Sequence, residues 1–326
     1  MIKAENLNKK FATVHAVKNV SISAQKGEIY GLIGPNGAGK STTIRMITNI
    51  VQPDSGSITY NNEIFCDKIR DNIGYMPEER GLYQKSKILE TIIHFAKLKG
   101  MDSNDAKTKS ENWLKRFSIE KAETRRIEEL SKGNQQKVQL IISLIHEPEY
   151  IILDEPASGL DPVNQELLRE IINQLRDEGK TILYSTHQME LAEKLCNRIA
   201  LINNGEIVIE GTIKEVKSKY GNKNVLLEFE GDGKFISSLN GIEKADIYMN
   251  YAELTLKGNS NLNEIISQVY DKITISKIEL VQPSLKTIFI ETVGKQSLES
   301  VSYTHLRAHE TVLDLVCRLL LEKKNS

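Results

Sequence analysis

Gly34-Pro35-Asn36-Gly37-Ala38-Gly39-Lys40-Ser41-Thr42 is the stretch around which the rest of the chain is organised. It spells G-x-x-x-x-G-K-S between a β-like run, Glu28 to Ile33, and a helical pattern, Ser41 to Thr48, the context that a phosphate-cradling loop requires. Its glycines let the backbone curl until successive N–H groups converge on phosphate oxygens, and the helix that follows turns its positive end toward the same anion. Lys40 reaches the β- and γ-phosphates as a flexible point charge, and the Ser41 hydroxyl is placed to bind Mg²⁺.

Working outward, Ile2 to Leu7 and Val17 to Ala24 alternate as strands do, with Lys9-Lys10-Phe11-Ala12 between them. A lone aromatic such as Phe11 reads as core or as a ligand contact. Pro53-Asp54-Ser55-Gly56 predicts a turn, Ser57 to Tyr60 a short strand, and Ile73 to Met76 another that ends at Pro77-Glu78-Glu79-Arg80-Gly81. From Lys87 to Gly133 the periodicity becomes helical: Ile88, Leu89, Ile92, Ile93, Ala96 and Leu98 mark one amphipathic helix, Trp113, Leu114 and Phe117 a second. Ser131 and Gly133 precede the apolar helix Val138 to Ile145, so their amides form a second place for an anion, or a plain helix cap.

Tyr150-Ile151-Ile152-Leu153-Asp154-Glu155-Pro156 is what a buried parallel strand needs if it delivers carboxylates at its C-terminal edge, where open α/β sheets bind ligands. Asp154 can hold a metal through water, and Glu155 can take a proton from an attacking water. Ser158-Gly159-Leu160-Asp161-Pro162 keeps the chain turning near that edge, and the strand Thr181 to Ser185 brings His187 to the same end of the sheet.

GPNGAGKST, LSKGNQQK, YIILDEP, SGLD and STH occur in that order across about 200 residues. In this the chain resembles the ATP-binding subunits of ABC transporters. The resemblance implies an α/β P-loop NTPase cassette with a helical insertion, an ATPase that works with Mg²⁺ as a head-to-tail homodimer or pseudo-dimer, and a separate integral-membrane permease as partner. By position, Phe11 resembles the aromatic that stacks on adenine, and Gly34, Pro35, Asn36, Gly37, Ala38, Gly39, Lys40, Ser41 and Thr42 hold the phosphates. Ser131 and Gly133 would reach the γ-phosphate from the opposite subunit, Asp154 would support Mg²⁺, Glu155 would be the general base, Asp161 would cross the dimer interface, and His187 would bind the γ-phosphate. The family usually carries Gln where Glu78 stands, and Gly and Gln where Lys132 and Asn134 stand. A carboxylate at Glu78 can still ligate Mg²⁺ while adding negative charge, and Lys132 adds the opposite charge near the same phosphates. The form of the Glu78 loop and of LSKGNQQK resembles a bacterial exporter branch that includes sodium-extruding ATPase subunits.

After the hairpin strand Gly205 to Gly211 and a short helix, Gly221-Asn222-Lys223-Asn224 reads as a linker. Strands near Val225 to Glu230, Ala245 to Met249, Ala252 to Lys257 and Ile273 to Val281, with a helix Leu262 to Tyr270, predict a small ferredoxin-like α+β domain, closed by a helix Ser284 to Val293. The expected division is 1–220 for the ATP-binding domain with its insertion at about 82–133, 221–295 for the accessory domain, and 296–326 for a tail. Val301 to Thr311 is what one reading frame of a transposase adapter used in sequencing libraries encodes, so the tail from 301 reads as non-native. Its other reading is an amphipathic helix from Val312 to Leu320, and His305 and His309 at i and i+4 carry little weight as a metal site.

Net charge is −1, so no basic surplus points to nucleic acid as a partner. Cys66, Cys196 and Cys317 are too scattered for a disulfide framework or a zinc site, which fits a reducing cytosol. Neither a signal peptide nor an apolar run long enough to span a bilayer is visible. The expected place is therefore cytoplasmic, peripheral on the inner face of the membrane through the permease. The other class that the motifs allow is a soluble ABC-type ATPase acting on ribosomes or DNA. About 90 residues separate Lys40 from Leu130, too few for the coiled coil of the DNA-repair members, and the single phosphate loop does not match two-cassette translation factors.

Overall fold

A computed structural model describes residues 1–301 apart from Arg80, 221–223, Asn259 and Asn261, with side chains as far as Gly294. The adapter-like tail beyond Val301, with His305, His309 and the apolar positions from Val312, lies outside the described residues, as do the first three residues of the expected linker. Contacts divide the chain into two units, Met1–Phe289 and Ile290–Ser326.

The first unit opens with the hairpin β1 (Ile2–Phe11) and β2 (Val14–Ala24), then β3 (Glu28–Ile33), α1 (Lys40–Ile47), β4 (Ser55–Tyr60), β5 (Glu63–Ile64), α2 (Asp67–Asp71) and β6 (Ile73–Met76). The helical insertion contributes α3 (Ile88–Leu98) and α4 (Ser103–Arg116), and leads through two 3₁₀ turns into α5 (Lys132–Leu144). Strands and helices then alternate: β7 (Tyr150–Asp154), α6 (Pro162–Asp177), β8 (Thr181–Thr186), α7 (Met189–Leu195), β9 (Arg198–Asn203), β10 (Glu206–Thr212) and α8 (Ile213–Lys219).

Six of these strands form one sheet in the order β10-β9-β3-β8-β7-β6, parallel except for β10. Its interior strands are near-continuous apolar runs because both faces are covered. Side chains alternate across β3: Ile29 and Ile33 pack with α3 to α7, whereas Tyr30 and Leu32 pack with α1 and the antiparallel sheet β2-β1-β4-β5. The ends of β6, β3, β7 and β8 therefore emerge along one edge, which gathers Glu78, the phosphate loop, Asp154, Glu155 and His187.

The third sheet comes from β11 (Asn224–Glu230), β12 (Ile242–Ile247), β13 (Tyr251–Leu256) and β14 (Thr274–Val281), with α9 (Leu262–Val269) before the last strand. Read from its far edge it runs β14-β11-β13-β12, all antiparallel, the 4-1-3-2 order of a ferredoxin-like fold. Its first helix is reduced to a 3₁₀ turn, Lys234–Ser238. Val225, Leu227, Phe229, Ile265 and Val269 form its separate core. In α10 (Leu285–Val301), Leu285 and Ile288 are fully buried in the core of the cassette, and the Leu285 N–H donates to Glu193 Oε2 at 3.1 Å. In the second unit the described residues continue this helix to Val301.

Several elements differ from the periodicity, among them β12, which runs Ile242–Ile247 rather than 245–249. β1 runs on through Phe11 and β2 begins at Val14, because register shifts near Leu7 and Lys9, with Asn6 at φ 52°, break the alternation without ending the pairing. α5 starts at Lys132, six residues before its apolar run, because the buried face of its first turns is polar: Gln136, Lys137 and Gln139 are all interior. α10 continues past Val293 to Val301.

Candidate active site

The phosphate loop is shaped by two close approaches of backbone. Gly39 sits at φ 106°, and a Cβ there would lie 2.4 Å from the Ala16 carbonyl oxygen; one on Gly34 would lie 2.2 Å from that of Ile202. No other residue type fits these positions without moving a strand. The N-cap of α1 is Gly39, which supplies no side-chain cap and leaves the first-turn amides open to an anion. Around them lies an open cleft of about 820 Å³, lined by Asn36, Gly37, Gly39, Lys40, Ser41, Thr42 and Glu78, and also by Val14 to Ala16, Lys18, Asn204 and Gly205.

Lys40 is only 6% exposed. Its Nζ donates to the carbonyls of Gly34 (2.9 Å) and Pro35 (3.1 Å) and lies 3.7 Å from Glu155 Oε1. That carboxylate oxygen is also 2.9 Å from His187 Nδ1, and Thr186 Oγ1 donates to Oε2 at 3.3 Å. Lys40 at the start of α1, Glu155 just past β7 and His187 just past β8 thus form the chain Lys40, Glu155, His187. Glu155 adopts φ 51°, left-handed backbone that costs a residue with a Cβ about 1–3 kcal/mol. The conformation is held by Glu155 N–H donating to Ser185 O and Ser158 N–H donating to Glu155 O, both at 3.1 Å. Its effect is to turn the carboxylate off the line of β7 and toward the phosphate loop.

Asp154, the last residue of β7, is 1% exposed, and its Oδ1 has no hydrogen-bond partner. Burial pushes its carboxyl above the usual carboxylate range, opposed by the Ser41 and Ser185 hydroxyls and by Lys40, and assisted by Glu155. A buried acceptor without a donor, beside Ser41, fits a cation. Among the described residues no group of three or more His, Cys, Asp or Glu could hold a metal alone. Mg²⁺ that takes most of its ligands from phosphate and water needs no such group.

The remaining expected residues stand elsewhere. Phe11 is 46% exposed with Lys9 Nζ 5.5 Å from its ring centre; it is the register partner of Val14, which lines the cleft, but is not itself among the lining residues. Ser131 caps α5, accepting from Asn134 N–H at 3.3 Å. Gly133 lies against the next motif, since a Cβ there would come 3.2 Å from Gly159 O. Asp161 caps α6 by accepting from the Asn164 N–H (3.0 Å) and side-chain amide, and these bonds hold its carboxyl below the usual range. The cleft thus joins the phosphate loop to Glu78, with the Asp154, Glu155 and His187 edge beside it, and leaves Ser131, Gly133 and Asp161 outside its lining. His15, Lys18, Asn204 and Gly205 escaped the sequence reading because the pairings that bring them in, such as Lys18 N–H to Gly205 O at 2.8 Å, join distant parts of the chain.

Comparison with known proteins follows the same lines. A family model described as ABC transporter matches residues 17–158, and one described as ATP-binding protein DrrA1-3-like, C-terminal domain, matches residues 211–293. The chain is 41% identical over 294 residues to the ABC transporter ATP-binding protein YhaQ of Bacillus subtilis (strain 168), covering 90% of this chain and 99% of that protein. It is 31% identical over 307 residues to the linearmycin resistance ATP-binding protein LnrL of the same organism, again over 90% and 99%. Among solved structures it resembles a dimeric post-hydrolysis state of the ATP-binding cassette MJ0796 bound to ADP and Pi, with a TM-score of 0.61 and 27% identity over 65% of this chain and 99% of that one.

Proposed function

The chain belongs to the ATP-binding subunits of ABC transporters, an ATPase family, and from that premise we propose that it hydrolyses ATP in a homodimer or pseudo-dimer to drive a separate integral-membrane permease, as an exporter. The observation that carries the hydrolytic part is the Lys40–Glu155–His187 chain at the mouth of the phosphate loop.

In this reading Gly34 to Thr42 wrap the triphosphate and Lys40 turns from its loop carbonyls to the β- and γ-phosphates. Phe11 stacks on adenine. Ser41, Asp154 and Glu78 would hold Mg²⁺, which when bound draws charge from the phosphate oxygens. Glu155 accepts the proton of the attacking water, and His187 orders that water and the γ-phosphate. Ser131 and Gly133 complete the site of the facing subunit, and Asp161 lies at the interface between the two. This cross-subunit role accounts for their place outside the cleft of their own chain. The solved dimer of MJ0796 supports the arrangement. LnrL, a resistance protein by name, supports export.

Residues 1–220 would serve as the ATP-binding domain, 221–295 as an accessory domain with a regulatory or partner-docking role, and 296–326 as a tail that is non-native from 301. No described helix is long and apolar enough to cross a membrane, so attachment to the inner face of the membrane rests on the permease. The test is recovery of the Glu155→Gln protein from its own cells. Retention in the membrane fraction by a multi-spanning protein encoded beside it is the expected result. Recovery with ribosomes or nucleic acid instead would overturn the transport reading.

A further inference from the structure

Two glutamines on one face of α5 hold the backbone on which both acidic loops are mounted. Gln136 is 2% exposed, and its Nε2 donates to the carbonyls of Glu155 (3.4 Å) and Pro156 (3.2 Å). Gln139 follows three residues later, on the same face, and is 5% exposed. Its Nε2 donates to the carbonyls of Pro77 (2.8 Å) and Glu79 (3.3 Å), one on either side of Glu78. An apolar side chain of similar volume would fill either space without taking an amide out of water, so packing alone does not call for glutamine. The strand that delivers Glu78 lies hard against the same helix: a Cβ on Gly74 would come 2.1 Å from Ser143 O. The peptide that Gln136 holds is also the one that carries Glu155 in its left-handed conformation.

We propose that Gln136 and Gln139 are positioning residues for hydrolysis. Gln136 sets the direction of Glu155, Gln139 sets the reach of Glu78, and α5 thereby keeps both carboxylates in one fixed relation to the phosphate loop. The inference rests on the reading of Glu155 as general base and Glu78 as metal support. The two residues predict different losses. A misdirected base slows the chemical step and leaves binding alone, whereas a misplaced Glu78 weakens the part of nucleotide binding that depends on Mg²⁺.

The experiment replaces each with methionine, which removes the amide donors at nearly constant volume. Turnover is measured per nucleotide-binding site, with sites counted by titration with a fluorescent ATP analogue so that unfolded protein does not enter the rate. The affinity of that analogue is measured as Mg²⁺ is titrated. Gln136→Met should lose tenfold or more in kcat with analogue affinity within twofold of the parent. Gln139→Met should raise the Mg²⁺ concentration for half-maximal analogue binding threefold or more. Added to Glu155→Gln, Gln136→Met should cost nothing further in residual turnover; added to Glu78→Ala, Gln139→Met should not move the Mg²⁺ midpoint again. Parent-like turnover of Gln136→Met, a parent-like Mg²⁺ midpoint of Gln139→Met, or full additional losses in the double variants would overturn the proposal. Failure of the underlying reading looks different: Glu155→Gln by itself would then turn over at the parent rate.

Discussion

Glu155→Gln separates the chemistry of this site from its binding. The change is isosteric at a side chain 5% exposed, so packing is retained; what is lost is one negative charge 3.7 Å from Lys40 Nζ and 2.9 Å from His187 Nδ1. At an effective dielectric of about 20, the attraction between Glu155 and Lys40 is on the order of 4 kcal/mol, and relief of the buried carboxylate's desolvation offsets part of it. Because the change leaves Lys40 as a buried charge held, among the described residues, only by the Gly34 and Pro35 carbonyls, the nucleotide-free protein should lose about 3 kcal/mol of stability. Turnover should not be spared. A positioned base contributes about 10² to 10⁴ in rate, or roughly 3 to 5 kcal/mol of barrier, and an amide cannot accept the water proton. In the proposed reading Lys40 and the loop amides bind the phosphates, so ATP affinity should stay within a few-fold. The assay is phosphate release at saturating Mg²⁺ATP beside ATP-dependent dimerisation on size exclusion: kcat falls at least a hundredfold while a two-ATP dimer accumulates. Lys40→Ala is the opposite control, with nucleotide binding lost and no dimer. A Glu155→Gln protein that hydrolyses ATP at the parent rate would refute the general-base assignment and leave Asp154 and Glu155 as an acid pair for the metal.

Other perturbations test the rest of the site. Because only glutamine keeps an oxygen at the reach of Glu78, Glu78→Gln should retain ATPase activity and Glu78→Ala should lose tenfold or more; equal activity in all three would move the role to Glu79. Ser131→Arg in the Glu155→Gln background should return the ATP-bound dimer to monomer, and persistence of the dimer would remove Ser131 from the facing site. Burial, aided by the Lys99 charge and opposed by the Ile73 carbonyl 3.1 Å from Nε2, pushes His146 from 6.5 down to about 4. The folded protein then binds fewer protons than the unfolded chain between those values, so this group removes stability as pH falls from about 6.5 to about 4 and no more below that. Urea unfolding should show the advantage of the parent over His146→Phe shrinking across that window, and a difference independent of pH would contradict the assignment.

Residue order alone is enough for the local rules of the fold. The loop from Gly34 to Thr42, the apolar strands Glu28–Ile33, Tyr150–Asp154 and Thr181–Thr186, and the antiparallel strands after Asn224 are legible because glycine freedom, strand periodicity and helix starts depend on neighbours a few residues away. The ferredoxin-like arrangement could be read from element order for the same reason. Tertiary structure alone decided that β3 lies between β8 and β9, which brings Lys40 against Glu155 and Asn204 beside Lys18 in one cleft. It also placed Glu155 in left-handed backbone, continued β1 through its bulges to Phe11, and buried Gln136 and Gln139 where the apolar pattern of α5 falls silent. Apart from the β1 bulges, whose β2 partners lie 3 to 13 residues away, these depend on partners from 19 to more than 100 residues away, and burial of a polar side chain becomes favourable only once the fold supplies its acceptor.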